Sequence, residues 1–330
     1  MTGSPDCLKE GTKHNMAKHK CGVVITPEDL HGCDWGGKLR ENGLNTLGLH
    51  AGGGEEEQEV LALLGRTAQQ AFRQSIGRYG IQVEYELHSA CSLLPRALFA
   101  EHPDYFPVNK LTQQRMPHGN WCISNPGVRE VLRRNVRQLG MLLAPSTHRH
   151  YLWGADGING WCHCDACGRY GDADQGLQSV NLLAEALAEQ DPAAEAAYLA
   201  YNQSTYEFSR KPAANVFLEF APITRCYRHT IDDPACAVNR YFMRQLKKLL
   251  RLFDPRRTQV LEYWLDSSYF SRWRKPAVVP VCTPELIARD LDAYRRLGIR
   301  HFTTFAVYMD GEYFERYGDA LLRAYAANVA

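Results

Sequence analysis

The chain lacks any apolar run approaching the roughly 20 residues that a membrane-crossing helix needs. An association through a membrane span is therefore not expected. It also lacks an excess of one charge, since 38 Lys and Arg against 37 Asp and Glu leave a formal net charge of +1. Proteins that grip phosphate backbones carry clustered basic surface, so nucleic acid is not an expected partner. The first twenty residues, MTGSPDCLKEGTKHNMAKHK, are basic and polar without the apolar centre of an export signal. They are expected to form a flexible polar leader over 1–20, and the expected location is the cytoplasm. Protein partners cannot be read from the sequence.

Three chemical signatures are missing as well. TPEDLHG, after the first apolar run, is not the glycine-rich turn of a dinucleotide-binding fold. Gly52, Gly53 and Gly54 precede no Lys-Ser/Thr, so they do not make a phosphate loop, and the acidic run Glu55–Glu57 suits the start of a helix. No H-E-x-x-H motif is present to hold a catalytic zinc.

What is present is an alternation. Eight β-rich runs, at 21–26, 45–51, 81–88, 148–154, 195–201, 215–221, 258–264 and 301–307, are separated mostly by segments with apolar residues at helical spacing. Val60, Leu64, Ala68, Phe72 and Ile76 form one such stripe, and Val128, Leu132, Val136, Leu139 and Leu143 another. Two more run from Phe242 to Phe253 and from Ile287 to Leu297. Asn125-Pro126 and Thr283-Pro284 each place a capping residue before proline at the first helical position. Strands alternating with helices pair in parallel, and eight such units close most simply into an α/β fold of the (β/α)8 TIM-barrel type. The expectation is a single domain over 21–330. The link between the fifth and sixth strands is short and looks non-helical.

In such a barrel the active site lies beyond the C-terminal strand ends. His50 follows the second strand. On the third, Glu84, Glu86 and His88 share one face, which should point inward because helices cover the outside. Trp153 and Asp156 follow the fourth strand, and Tyr201 and Asn202 the fifth. Glu219 lies on the sixth, Glu262 and Trp264 share a face of the seventh, and the eighth leads to Tyr308 and Asp310. Aromatic faces stack on sugar rings while carboxylates and amides take hydroxyls, so a carbohydrate substrate is expected. Glycoside cleavage needs two carboxyl groups in different environments. Asp156 is the expected acid and Glu262 the nucleophile or base. His88, Trp153, Tyr201, Asn202, Glu219, Trp264 and Asp310 are the expected substrate-binding residues. Each has a plainer reading too. Asp156-Gly157 also fits an ordinary turn, and Glu262, in an apolar strand, is either functional or paired with a buried arginine.

Eleven cysteines are an odd number, unlike a short secreted disulfide scaffold. Most are expected to be reduced and buried. Cys162, Cys164 and Cys167 form C-x-C-x-x-C, three ligands of a structural zinc, with His163, Cys122, Cys226 or Cys236 as the fourth. Apart from that zinc, no cofactor is expected to be required. The alternatives to a glycosidase are a non-catalytic carbohydrate-binding barrel and a metal-dependent hydrolase.

Taken in order, LHSACSLLPRALFAEHPDYFPV (87–108), WCISNPGVRE (121–130), WGADGINGWCHCDACG (153–168), YLAYN (198–202), LEFAPITRCYRHTIDDPAC (218–236) and LEYWLDSSYF (261–270) resemble the bacterial domain-of-unknown-function family numbered 4838. That family is placed among TIM-barrel glycoside hydrolases, often beside alpha-glucuronidase-like modules. The resemblance runs from about residue 80 onward. It implies the barrel and a glycan substrate class, and it brings no catalytic pair. Members commonly carry an N-terminal β-rich module and an export signal, neither of which is read here.

Overall fold

The computed structural model describes residues 19–51, 57–63, 66–157, 159–201 and 208–329. The eight runs become β1 (Cys21–Ile25), β2 (Thr46–His50), β3 (Gln82–His88), β4 (Arg149–Trp153), β5 (Glu195–Ala200), β6 (Val216–Phe220), β7 (Gln259–Glu262) and β8 (His301–Phe305). Each pairs in parallel with the next, and β8 pairs with β1, closing the barrel. The leader expected over 1–20 lies outside the described residues up to position 18. Its last residue, Lys20, is buried and belongs to the barrel. Among the described residues no helix is long and apolar enough to cross a membrane.

The helices form where the apolar stripes and caps place them. In Pro126–Leu143 the side chain of Asn125 accepts from Gly127 N and Val128 N, while Val128, Leu132, Val136, Leu139 and Leu143 are buried against the barrel. In Pro284–Arg296 Thr283 accepts from Leu286 N, and Ile287, Leu291 and Tyr294 are buried. Gly298, in the left-handed region at φ 91°, turns the chain from that helix toward β8. Of the first stripe, Val60, Phe72 and Ile76 are buried, and the Leu64 and Ala68 side chains lie outside the described set. No helix links β5 to β6 among the described residues.

Strand geometry sends alternate side chains inward. Many barrels fill that lumen with branched apolar residues, whereas here the lower half is polar. The Lys20 ammonium contacts Glu84, lies 2.7 Å from Tyr151 OH and donates to Gln259 Oε1 at 2.6 Å. Gln259 Nε2 donates to Glu219 Oε1 at 2.9 Å and to Thr303 Oγ1 at 3.0 Å. Trp153 Nε1 donates to Glu219 Oε2 at 2.9 Å, tying this network to the upper layer.

The inward set on β7 is Gln259 and Leu261, continued by Tyr263, so Glu262 and Trp264 point outward. This corrects the expectation that both line the mouth. The buried Arg225, from the segment after β6, donates from Nε to Glu262 Oε2 at 3.1 Å and also pairs with Asp290. Tyr294 OH donates to Glu262 Oε1 at 2.6 Å, and Trp264 Nε1 to Asp290 Oδ2 at 3.0 Å. The network joins β7 to helix Pro284–Arg296. Removing one partner strands a buried charge, so Arg225→Ala is expected to cost about 3–5 kcal/mol in urea denaturation. A loss below about 1 kcal/mol, as for a surface pair, would overturn this role.

Candidate functional site

Above the polar floor, the C-terminal strand ends enclose a cavity of about 300 Å³ lined by His50, His88, Trp153, Tyr201, Tyr263 and Phe305. Asp156, Asp266, Ser268 and Trp273 also face it. A smaller cavity of about 70 Å³ shares His88, Trp153, Leu199 and Tyr201 with it and runs behind them toward Trp121 and Trp161.

The two histidines are held alike. His50 Nδ1 lies 2.7 Å from Glu86 O, and His88 Nδ1 lies 2.8 Å from Gly154 O. A carbonyl only accepts, so each Nδ1 carries the hydrogen and each neutral ring keeps its lone pair on Nε2. Burial, reinforced by the neighbouring His88, pushes His50 down to about 4. Burial also lowers His88, against the pull of Asp156. His50 packs against Phe305 and Trp153, with ring centroids 5.2 and 5.6 Å away.

The two carboxyl groups on the cavity differ. Asp156 follows β4, is 39% exposed, and its Oδ1 lies 3.9 Å from His88 Nε2. That oxygen also accepts from Gly157 N at 2.7 Å, so the turn expected for Asp156-Gly157 is present. Asp266 follows β7 and is almost wholly buried; its Oδ1 accepts from Ser268 Oγ at 2.6 Å and Tyr269 N at 3.0 Å. Burial pushes its carboxyl up to about 6, against those hydrogen bonds.

Trp273 lies at the rim, 60% exposed, with its ring edge-on to Tyr269 at 5.7 Å. Arg272 and Trp273 are consecutive non-glycine residues in the left-handed region, at φ 58° and 55°. Such backbone is costly and persists where its surroundings determine it. Here Trp273 N donates to Ser268 O at 2.7 Å, beside Asp266.

Of the residues singled out in the sequence, Asp156, His88, Trp153 and Tyr201 line the cavity. Glu219 lies beneath it, capped by Trp153, and burial raises its carboxyl well above the usual range. Asn202 lies outside the described residues. Glu262 and Trp264 are on the far side of the β7 backbone. Asp310 is also elsewhere: it caps helix Gly311–Tyr317 by accepting from Tyr313 N at 3.0 Å and pairs with Lys275. Tyr263, Asp266 and Trp273 were missed. The parity of the seventh strand held the signal, because an inward Gln259 makes Tyr263 inward and puts Asp266 just past the strand end. Cys162, Cys164 and Cys167 meet Cys122, not His163, Cys226 or Cys236.

Comparison with known proteins gives a consistent picture. The model of the family described as Domain of unknown function (DUF4838) matches residues 62–322. No curated protein matches the sequence. Among solved structures, a beta-N-acetylhexosaminidase from Bacteroides fragilis NCTC 9343 is similar at TM-score 0.58 and 13% identity, over 94% of this chain and 65% of that one. A beta-galactosidase from Rahnella sp. R3 matches at 0.55 and 14%, over 88% and 51%. A chitinase from Rhizomucor miehei matches at 0.54 and 10%, over 94% and 99%. The chain thus spans 65% of the hexosaminidase and about half of the galactosidase. At these identities the likeness establishes the fold.

The floor yields a pH dependence. Burial, together with the nearby Glu84, pushes Glu86 up to about 8 against the pull of Lys20. A raised folded pKa favours the protonated form, so the stability it contributes is complete below the unfolded value and lost as pH rises through about 8. Glu86→Gln is neutral at every pH and should escape that loss. Denaturation at pH 5 and pH 8 is expected to show wild type losing about 3–4 kcal/mol more than the variant over that interval. Parallel losses would show that Glu86 titrates normally.

Proposed function

The chain belongs to the DUF4838 family, and from that premise and the geometry of the mouth we propose that it is a glycoside hydrolase that uses Asp266 as general acid and Asp156 as nucleophile or base. The observation that carries this reading is the pair of unlike carboxyl groups on one aromatic-walled cavity. Asp266 is enclosed and its pKa raised, which suits a group that must hold a proton for the departing glycosidic oxygen. Asp156 is solvated and open to the cavity, which suits attack on the anomeric carbon or activation of water. Trp153, Tyr201, Tyr263 and Trp273 offer ring faces and edges to a sugar, and the Nε2 atoms of His50 and His88 accept from hydroxyl groups. Glu262 has no part in the chemistry, because its two oxygens are committed to Arg225 and Tyr294. The substrate class is an oligosaccharide.

One observation favours a second reading, a carbohydrate-binding barrel without turnover: Asp266 caps the short helix Ser267–Phe270, a structural task in itself. An aryl-glycoside and oligosaccharide panel separates the two. Asp156→Asn on every substrate, and Asp266→Asn on the oligosaccharides, are expected to lower kcat/KM by at least about 100-fold, whereas folded Glu262→Gln keeps wild-type turnover. Activity should fall as pH rises through about 6, where Asp266 loses its proton. Asp266→Asn should remove that limb and keep most of its activity on aryl glycosides whose leaving group needs no proton. Sugar binding without turnover, unchanged in both Asp variants, would establish the binding barrel instead.

A further inference from the structure

Beside the mouth, four cysteines from two segments converge. Cys122 comes from the stretch between β3 and helix Pro126–Leu143, and Cys162, Cys164 and Cys167 from that between β4 and helix Asp172–Ala188. Their sulfur atoms all lie within 4.8 Å of one another. Cys122 Sγ is 3.7 Å from both Cys164 Sγ and Cys167 Sγ. A disulfide would bring two sulfurs to about 2.05 Å and leave the others aside. Four thiolates around a zinc ion at about 2.3 Å form a tetrahedron whose edges are about 3.75 Å. The two separations from Cys122 match that edge, and every other pair lies within 4.8 Å. The surroundings also suit sulfur as an acceptor: Val108 N donates to Cys162 Sγ at 3.4 Å, and Arg115 Nη1 lies 4.0 Å from the same atom.

We propose that Cys122, Cys162, Cys164 and Cys167 bind one structural zinc ion that pins the Asp156 loop to the preceding β3 loop. Four sulfur ligands leave no open position, so the ion serves architecture rather than catalysis. The two loops already touch beside the cluster. Asn120 N donates to Gly160 O at 2.8 Å, and Asn120 Oδ1 accepts from Ala155 N at 2.8 Å. Cys122 follows Asn120 by two residues, and Cys162 follows Gly160 by two. The metal therefore locks the same contact two residues further along each segment. Behind it, Gln175 holds Cys162 by both backbone groups, at 3.2 and 3.0 Å, which fixes the cluster to helix Asp172–Ala188. The segment carrying Asp156 is then anchored at one end by β4 and at the other by the metal.

Metal analysis of the purified full chain, dialysed against metal-free buffer, tests the proposal without reference to any reaction. One zinc per chain is expected. It should be lost in Cys122→Ser and Cys164→Ser and retained in Cys226→Ser and Cys236→Ser, whose thiols lie outside the cluster. Should the first two variants fold poorly, cobalt(II) exchanged into wild type should give the intense visible bands of tetrahedral tetrathiolate coordination. Chelation should accelerate amide hydrogen exchange in 119–124 and 154–167 and leave β5 to β8 unchanged. Absence of zinc, iron in its place, zinc persisting in folded Cys122→Ser, or unchanged loop exchange after zinc removal would each overturn the proposal.

Discussion

The barrel is organised around one buried cation. The Lys20 ammonium sits in the lumen against Glu84, Tyr151 and Gln259, with Glu86 and Glu219 in the adjacent layer. Three carboxyl groups and one ammonium cannot all be charged in a medium that solvates ions poorly. The pKa values of Glu86 and Glu219 rise in response, which favours their protonated forms. Through Gln259 and Glu219 the network reaches the Trp153 indole and fixes the first aromatic wall of the cavity. The residue that anchors this chain of contacts lies just before the first strand, in a stretch that composition alone assigns to a polar leader.

Much of the fold was legible because it depends on periodicities that leave a direct trace. Alternation gave the eight strands, helical stripes gave the covering layer, and Asn125-Pro126 and Thr283-Pro284 marked helix starts where the caps are found. The inward face of β3 was also readable, since Glu84, Glu86 and His88 stand opposite Val83, Tyr85 and Leu87. On β7 the same reasoning failed. There a carboxylate marks the outer face, and its partner, Arg225, reaches it from a loop that strand parity does not describe. Asp310 misled for a related reason, since a residue just past a strand end can cap the next helix as readily as it can face the mouth. The cysteine motif displayed three members of the cluster, and the fourth required knowledge of how two loops meet.

The mouth separates its two carboxyl groups by environment. Asp266 is enclosed, with one oxygen satisfied by Ser268 and Tyr269, while Asp156 sits in a loop open to water and close to His88. One group is shaped by burial at a strand end and the other by how its loop is held. Precision at Asp156 therefore depends on contacts outside the barrel, at Asn120 and the cysteine cluster. Loops are where function concentrates in such folds, and they need supports of this kind to hold a geometry.

The neutral histidines have a consequence for how a ligand arrives. Among the described residues that line the cavity, none is lysine or arginine, and both imidazoles present lone pairs in place of positive charge. A mouth of that kind exerts no long-range pull on an anion, so ionic strength has little hold on the encounter rate. Capture rests on short-range events: water leaving the aromatic walls and hydroxyls replacing it at the ring nitrogens. Under the proposed function, residence time, set by how well those contacts close, becomes the quantity that distinguishes one sugar from another.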